Sequence, residues 1–333
     1  MTVSESGWNE TEIAALTASV DALMDSMGKV IIGQKDVVES LVICLLAGGH
    51  ALVEGVPGLG KTLLVKSLAQ ATSMQFRRVQ FTPDLMPSDI VGTEILEEDT
   101  ATRKREFRFQ EGPVFTQVLL ADEINRAPPK TQSALLEAMQ ERAVTFAGQT
   151  HALPKPFFVL ATQNPIEQAG TYPLPEAQLD RFLLRIDVGY PSEDEEIAMV
   201  SATTHAGLSD AAAAMDVGTL LRLQALVREI QIGDHLLRYA TRLVRATRPA
   251  ESTVSAVQKH IGWGAGPRAG QALVLASKAR ALMHKRLAVT REDIAAMLLP
   301  VLAHRVLRNF EAEADGVSIA DVLAALREQI RPE

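Results

Sequence analysis

Three short stretches of this sequence carry residue types that do chemistry only in combination. The first is Gly55-Val56-Pro57-Gly58-Leu59-Gly60-Lys61-Thr62, which fits the phosphate-loop spacing G-x-x-x-x-G-K-[ST]. Glycines at those positions let the backbone wrap an anion, so that N–H groups and a helix N-terminus face it. Lys61 would reach the β- and γ-phosphates, and the Thr62 hydroxyl would take Mg2+. Leu63 follows in the same turn and is counted with the binding residues. The second stretch, Val118-Leu119-Leu120-Ala121-Asp122-Glu123, is an apolar run closed by two acids. On its own such a pair often ends a solvated strand. Beside a phosphate loop, Asp122 is suited to holding Mg2+ and Glu123 to polarising the attacking water. The third stretch, Phe157–Pro165, is apolar until Thr162-Gln163-Asn164. Asn164 could orient water between Glu123 and the γ-phosphate, or form a turn before proline. Together the three describe binding and hydrolysis of a nucleoside triphosphate.

Such residues need a sheet edge to bring them together, and the pattern supplies one. His50–Glu54, Phe76–Phe81, Val118–Ala121, Phe157–Ala161 and Phe182–Val188 read as short buried strands. Helical periodicity over Glu12–Met27, Lys35–Ala47, Lys61–Ala71 and Lys130–Arg142 alternates with them. That alternation predicts an α/β core with about five parallel strands. Two hairpins interrupt it. One pairs Thr93–Leu96 with Glu106–Phe109 around a charged tip, Glu97–Arg105; the other turns at Ala147-Gly148-Gln149. After Tyr190-Pro191 the strand pattern stops. Helices are expected over Glu193–Thr204, Val217–Ile230, Asp234–Thr247, Pro267–Arg286, Arg291–Leu307 and near Ser318–Ile330. The expected division is residues 1–190 for the α/β core and 191–333 for an all-α lid.

Composition narrows the function. The 333 residues carry 33 Lys+Arg and 41 Asp+Glu, a net charge of −8. Residues 1–190 hold 16 basic and 24 acidic residues, so the whole excess lies there. That balance argues against gripping a nucleic-acid backbone. No apolar run approaches the ~18 residues of a spanning helix, and the polar N-terminus has no secretory pattern, so a cytoplasmic protein is expected. The single cysteine, Cys44, sits in an apolar run as a core residue would, and it excludes a thiolate zinc site.

The order of these motifs resembles the AAA+ ATPases, a class of P-loop NTPases, and their wording resembles the MoxR family. The matching stretches are Gly55–Thr62, Asp84–Gly92, Gly112–Phe115, Asp122–Lys130, Ala161–Pro165, Leu174–Phe182 and Gly264–Ala269, covering most of the chain. The last has Gly266 where serine is expected. The resemblance implies an ATP·Mg2+-dependent ATPase working as a homo-oligomeric ring, with a hexamer expected. Asn164 then matches the first nucleotide sensor. Arg181 matches the arginine finger, given to the neighbouring subunit's ATP. Arg268 matches the second sensor, expected at the phosphates of its own subunit. Ile32, in Ile31–Gln34, matches the stretch near adenine. The two hairpins match insertions that contact substrate or partner. The implied role is a chaperone-like motor that matures other proteins, with von Willebrand factor A-domain proteins as partners. A nucleic-acid-dependent motor and a metal-chelatase motor subunit are the alternatives.

Two features stand apart from these motifs. Arg238, Arg242, Arg245 and Arg248 recur at helical spacing. They form either a solvated face or a surface for the acidic core of a neighbouring subunit. Trp263, among glycines, is expected to pack within the lid.

Overall fold

The computed structural model describes residues 7–56, 58–98, 105–164, 170–204 and 210–331. The α/β part opens with α1 (Glu10–Val30). Asn9 and Glu12 cap its first turn reciprocally, and Leu16, Val20, Leu23 and Met27 fall on its buried face. Then follow α2 (Lys35–Leu46), β1 (Ala51–Gly55), α3 (Lys61–Ala71), β2 (Phe76–Gln80) and the short α4 (Pro87–Val91). The first hairpin is β3 (Gly92–Glu98) with β4 (Arg105–Glu111); part of its tip, Asp99–Lys104, lies outside the described residues. After β5 (Val118–Asp122) come a 3-10 turn, Ile124–Arg126, and α5 (Pro129–Glu141). The second hairpin is β6 (Ala143–Phe146) with β7 (Gln149–Ala152), followed by β8 (Phe158–Gln163), α6 (Glu176–Leu179) and β9 (Leu184–Val188).

Five of these strands form one parallel sheet in the order β2-β5-β8-β1-β9. Successive side chains on a strand point to opposite faces, and here both faces are apolar. Val118 and Leu120 on β5 join one buried cluster with α1, α2 and α3. Leu119 and Ala121 join another with α5. The strands therefore read as continuous apolar runs, and their polar residues appear only at the ends.

The C-terminal part comprises α7 (Glu193–Thr204), α8 (Val217–Glu229), α9 (Asp234–Arg245), α10 (Ser255–His260), α11 (Pro267–Met283), α12 (Arg291–Leu302), α13 (Phe310–Ala314) and α14 (Ile319–Gln329). It is helical as expected, with a two-stranded ribbon added, β10 (Ile261–Trp263) against β11 (Leu307–Arg308). These pieces are too short for periodicity to register. The helix expected over Arg291–Leu307 stops at Leu302 because the next residues have tertiary work. Buried Arg305 donates to the carbonyls of Phe182 (2.6 Å) and Leu183 (3.1 Å), and His304 Nε2 lies 3.0 Å from the Phe182 carbonyl. α11 lies against α2, α8, α9 and α12, and α12 lies against β9. Buried Asp293 ties α11 to α12 by accepting from Arg280 (2.7 Å), and it also accepts from Arg286 (2.6 Å) in the turn after α11. Among the described residues, no helix is long and apolar enough to cross a membrane.

Candidate active site

The phosphate loop leaves the carboxyl end of β1 and enters α3 at Lys61. Gly58 and Gly60 adopt φ of +88° and +73°, and nothing lies within 4 Å of where a Cβ would stand on either. The turn thus needs glycine for its backbone and leaves open space above it, a cradle that a phosphate chain can fill. Pro57 lies outside the described residues; Gly55 ends β1 and Val56 follows it. Lys61 turns back to donate to the Gly55 carbonyl. Partial burial lowers its pKa, opposed by the nearby Asp122 and Glu123 carboxylates. Thr62 is the next residue of α3. Ile31, Ile32, Leu59 and Leu63 line an apolar cavity of about 120 Å³ beside the loop, with Pro191 and Met199 across it. That cavity suits a flat base rather than a charged group.

Strand order does the rest. β8 lies between β5 and β1, so Asn164, just past β8 and buried, stands between the acids and the loop. Two strand spacings put β5 about 10 Å from β1. Asp122 ends β5, and Glu123 follows in a left-handed conformation at φ +56°. A non-glycine residue in that region stores about 1 kcal/mol of strain and needs neighbours to hold it. Thr162 on β8 is one of them: its hydroxyl accepts from the Glu123 N–H (2.8 Å) and donates to Asp122 Oδ1 (2.6 Å). Arg126 (2.9 Å) and Gln80 (2.9 Å) both donate to Glu123 Oε2. Arg78 on β2 holds Asp122 Oδ2 at 2.6 Å. Mg2+ binds through one or two protein oxygens beside phosphate and keeps several waters. The Thr62 hydroxyl and the Asp122 carboxylate are a donor set of that kind.

Motif reading missed the roles of Arg78, Gln80, Arg126 and Thr162. A hydroxyl closing the strand that also carries Asn164 was the available signal for Thr162. For Arg78 and Gln80 there was none, since they matter only because β2 pairs with β5.

Arg181 and Arg268 lie elsewhere. They line a cavity of about 320 Å³ with Arg142 and Arg305. Its other walls include Gly48, Gly49 and His50, just before β1, and Leu183, just before β9. This is the amino end of the strands, opposite the phosphate loop. Arg268, expected at the phosphates of its own subunit, stands instead at this amino edge. α11, which carries Arg268 in its first turn, packs on α2, and α12 packs on β9; Arg305, just past α12, ties that helix's end to Asp180 (2.7 Å) and the 182–183 carbonyls. Neither guanidinium has a hydrogen bond or ion pair among the described residues. Gly264 precedes α11, and a Cβ there would stand 2.5 Å from the Thr247 carbonyl oxygen, so the approach to Arg268 requires glycine. Trp263, expected inside the lid, is 68% exposed on its ribbon.

A parallel sheet whose carboxyl edge presents a phosphate loop, an Asp-Glu pair and a buried asparagine, with a helical lid, defines a P-loop ATPase. Known proteins agree. The family model described as "ATPase family associated with various cellular activities (AAA)" matches residues 50–184, and the AAA lid domain model matches residues 254–326. The chain is 43% identical over 309 residues to the chaperone MoxR1 of Mycobacterium tuberculosis, covering 92% of this chain and 80% of that one. It is 33% identical over 298 residues to MoxR of Paracoccus denitrificans, covering 84% and 86%. A solved candidate ATPase from Cytophaga hutchinsonii superposes with a TM-score of 0.90 at 40% identity, covering 97% of this chain and 98% of that one. The chain belongs to the MoxR family of AAA+ ATPases, and the metal-chelatase and nucleic-acid readings are not favoured.

Proposed function

We propose that this ATPase works as a homo-oligomeric ring, a hexamer in our reading, in which each nucleotide is completed by two arginines of the next chain. The observation that carries the ring is the position of Arg181 and Arg268, together at the opposite sheet edge from the phosphate loop and without an ion pair among the described residues. Within the site, the loop backbone, Lys61 and Thr62 bind the phosphates, and Ile32 and Leu63 flank the base. Thr62 and Asp122 would hold Mg2+, which when bound offsets the phosphate charge. Glu123 takes the proton of the attacking water, and Asn164 orients that water. Arg181 and Arg268 of the neighbour then meet the charge that builds on the transferred phosphoryl group.

The division at 190/191 belongs to the same proposal: the core binds nucleotide and the lid carries Arg268. The client role is chaperone-like maturation of partner proteins, with von Willebrand factor A-domain proteins proposed as partners. It is supported by the relative MoxR1, which is named a chaperone. A cytoplasmic location fits the requirement for ATP and the buried free Cys44.

Glu123→Gln tests the chemistry. Fluorescent-nucleotide titration should give an affinity within a few-fold of wild type, while phosphate release falls about 100-fold or more. Turnover within twofold of wild type would remove Glu123 as the base. The same trapped variant, used as bait, should retain the engaged client.

A further inference from the structure

α7 is a helix of 12 residues with an unusual surface. Its first turn holds Glu193, Asp194, Glu195 and Glu196. Of these, Glu195 is used locally, accepting from the Ser192 N–H and hydroxyl at 2.9 Å each. Farther along, Ile197 is 60% exposed and Val200 51%. A helix this short is marginal in water by itself and gains its stability by burying an apolar face. α7 instead presents apolar side chains beside acids to solvent.

The lid presents the complementary surface. Between α8, α9 and α11 lies a groove of about 790 Å³. Leu237, Val274 and Leu275 contribute its apolar floor, and Arg228, Arg245 and Lys278 stand along its rim. No acid lines it among the described residues. Arg245 and Arg248 share one partner, Glu251, at 2.7 and 3.3 Å, which leaves the rim with excess positive charge. Of the basic residues noted at helical spacing, these two reach the groove.

We infer that α7 of one chain seats in the lid groove of the next. Ile197 and Val200 would meet the apolar floor, and Asp194 and Glu196 the rim cations. The inference rests on the ring reading and extends it, because the two surfaces lie where a ring would bring them together. α7 flanks its own nucleotide pocket, which Met199 and Pro191 line. The groove is continuous with the arginine cavity, since Gln271 and Leu275 line both. A neighbour placed to deliver Arg181 and Arg268 to the nucleotide also delivers its groove to α7. Nucleotide against Met199 and the lid against Ile197 would then bear on one short helix, which couples occupancy to assembly.

Two singly substituted chains, Asp194→Cys and Lys278→Cys, should be mixed with ATP and Mg2+ and treated with a short bismaleimide; the native Cys44 is buried. The expected result is a cross-linked pair of chains in the mixture and in neither chain alone. Rings that sediment normally without that product overturn the docking while leaving the ring reading intact. Wild-type chains that never assemble with ATP overturn both. Charge reversal supplies an independent measurement. Asp194→Lys/Glu196→Lys and Arg245→Glu/Lys278→Glu should each weaken assembly about tenfold or more, and combining them should restore it. Unchanged assembly in both, or no rescue by the combination, overturns the proposal. So does loss of client binding with an intact ring in the groove variant, because the groove would then hold the client.

Discussion

At the residue scale, Glu123 is held from three sides. Its N–H bonds to Thr162, and its carboxylate accepts from Arg126 and Gln80. Thr162 matters most for geometry, because one hydroxyl fixes both acids. Thr162→Val keeps the shape of the side chain but leaves the Glu123 N–H without its acceptor. We expect kcat to fall about tenfold with little change in ATP affinity, read from steady-state rates beside nucleotide titration. A loss confined to affinity would mean that Thr162 serves binding rather than the positioning of Glu123.

At the element scale, the segment between α6 and β9 is fixed from outside the core. Arg305, 8% exposed, reaches from beyond α12 to Asp180 and to the carbonyls of Phe182 and Leu183. Arg181 lies inside that clasp. Removing one partner of a largely buried ion pair leaves the other charge uncompensated. Arg305→Ala should therefore destabilise the fold by about 3 kcal/mol in urea denaturation. Arg305→Lys should keep much of that stability yet lose the forked contacts that aim Arg181. Equal stability and equal turnover in Arg305→Lys would argue that the clasp is only packing.

At the scale of the whole molecule, two outcomes are expected. If Arg181 acts on the neighbour, Glu123→Gln chains can supply the arginine and Arg181→Ala chains the base. Mixing the two inactive variants should restore part of the ATPase rate, in proportion to the mixed interfaces; a mixture as inactive as its parts would confine Arg181 to its own site. The second outcome concerns acid stability. Burial pushes the pKa of His50 down to about 4. The Val159 N–H donates to its Nδ1 (3.0 Å), so Nε2 carries the proton and faces the Met139 carbonyl (3.2 Å). The unfolded chain binds a proton first, near pH 6.5. Stability from this residue is complete above that value and is lost as pH falls towards 4, about 3 kcal/mol over the window. His304, also lowered by burial, acts in the same direction. His50→Gln should flatten the decline between pH 7 and 5 in urea midpoints, and an unchanged slope would assign it to other groups.

The sequence by itself determined the parts of this site that are local. A phosphate loop is one turn between one strand and one helix, so its residues announce it. The five strands were legible because both sheet faces are buried and each strand is a continuous apolar run. Asp122, Glu123 and Asn164 stood out only because the same chain carries a phosphate loop, since alone such strand ends are ordinary. Tertiary structure alone decided what depends on strand order and lid docking. β2 pairs with β5, which brings Arg78 and Gln80 to the acids, and no spacing along the chain encodes that pairing. The lid docks on α2 and β9, which carries Arg268 to the amino edge of the sheet, away from the phosphates its motif would serve in its own subunit. A motif specifies the chemistry a residue can do; where that residue stands is set by long-range burial, here the packing of α11 on α2 and of α12 on β9.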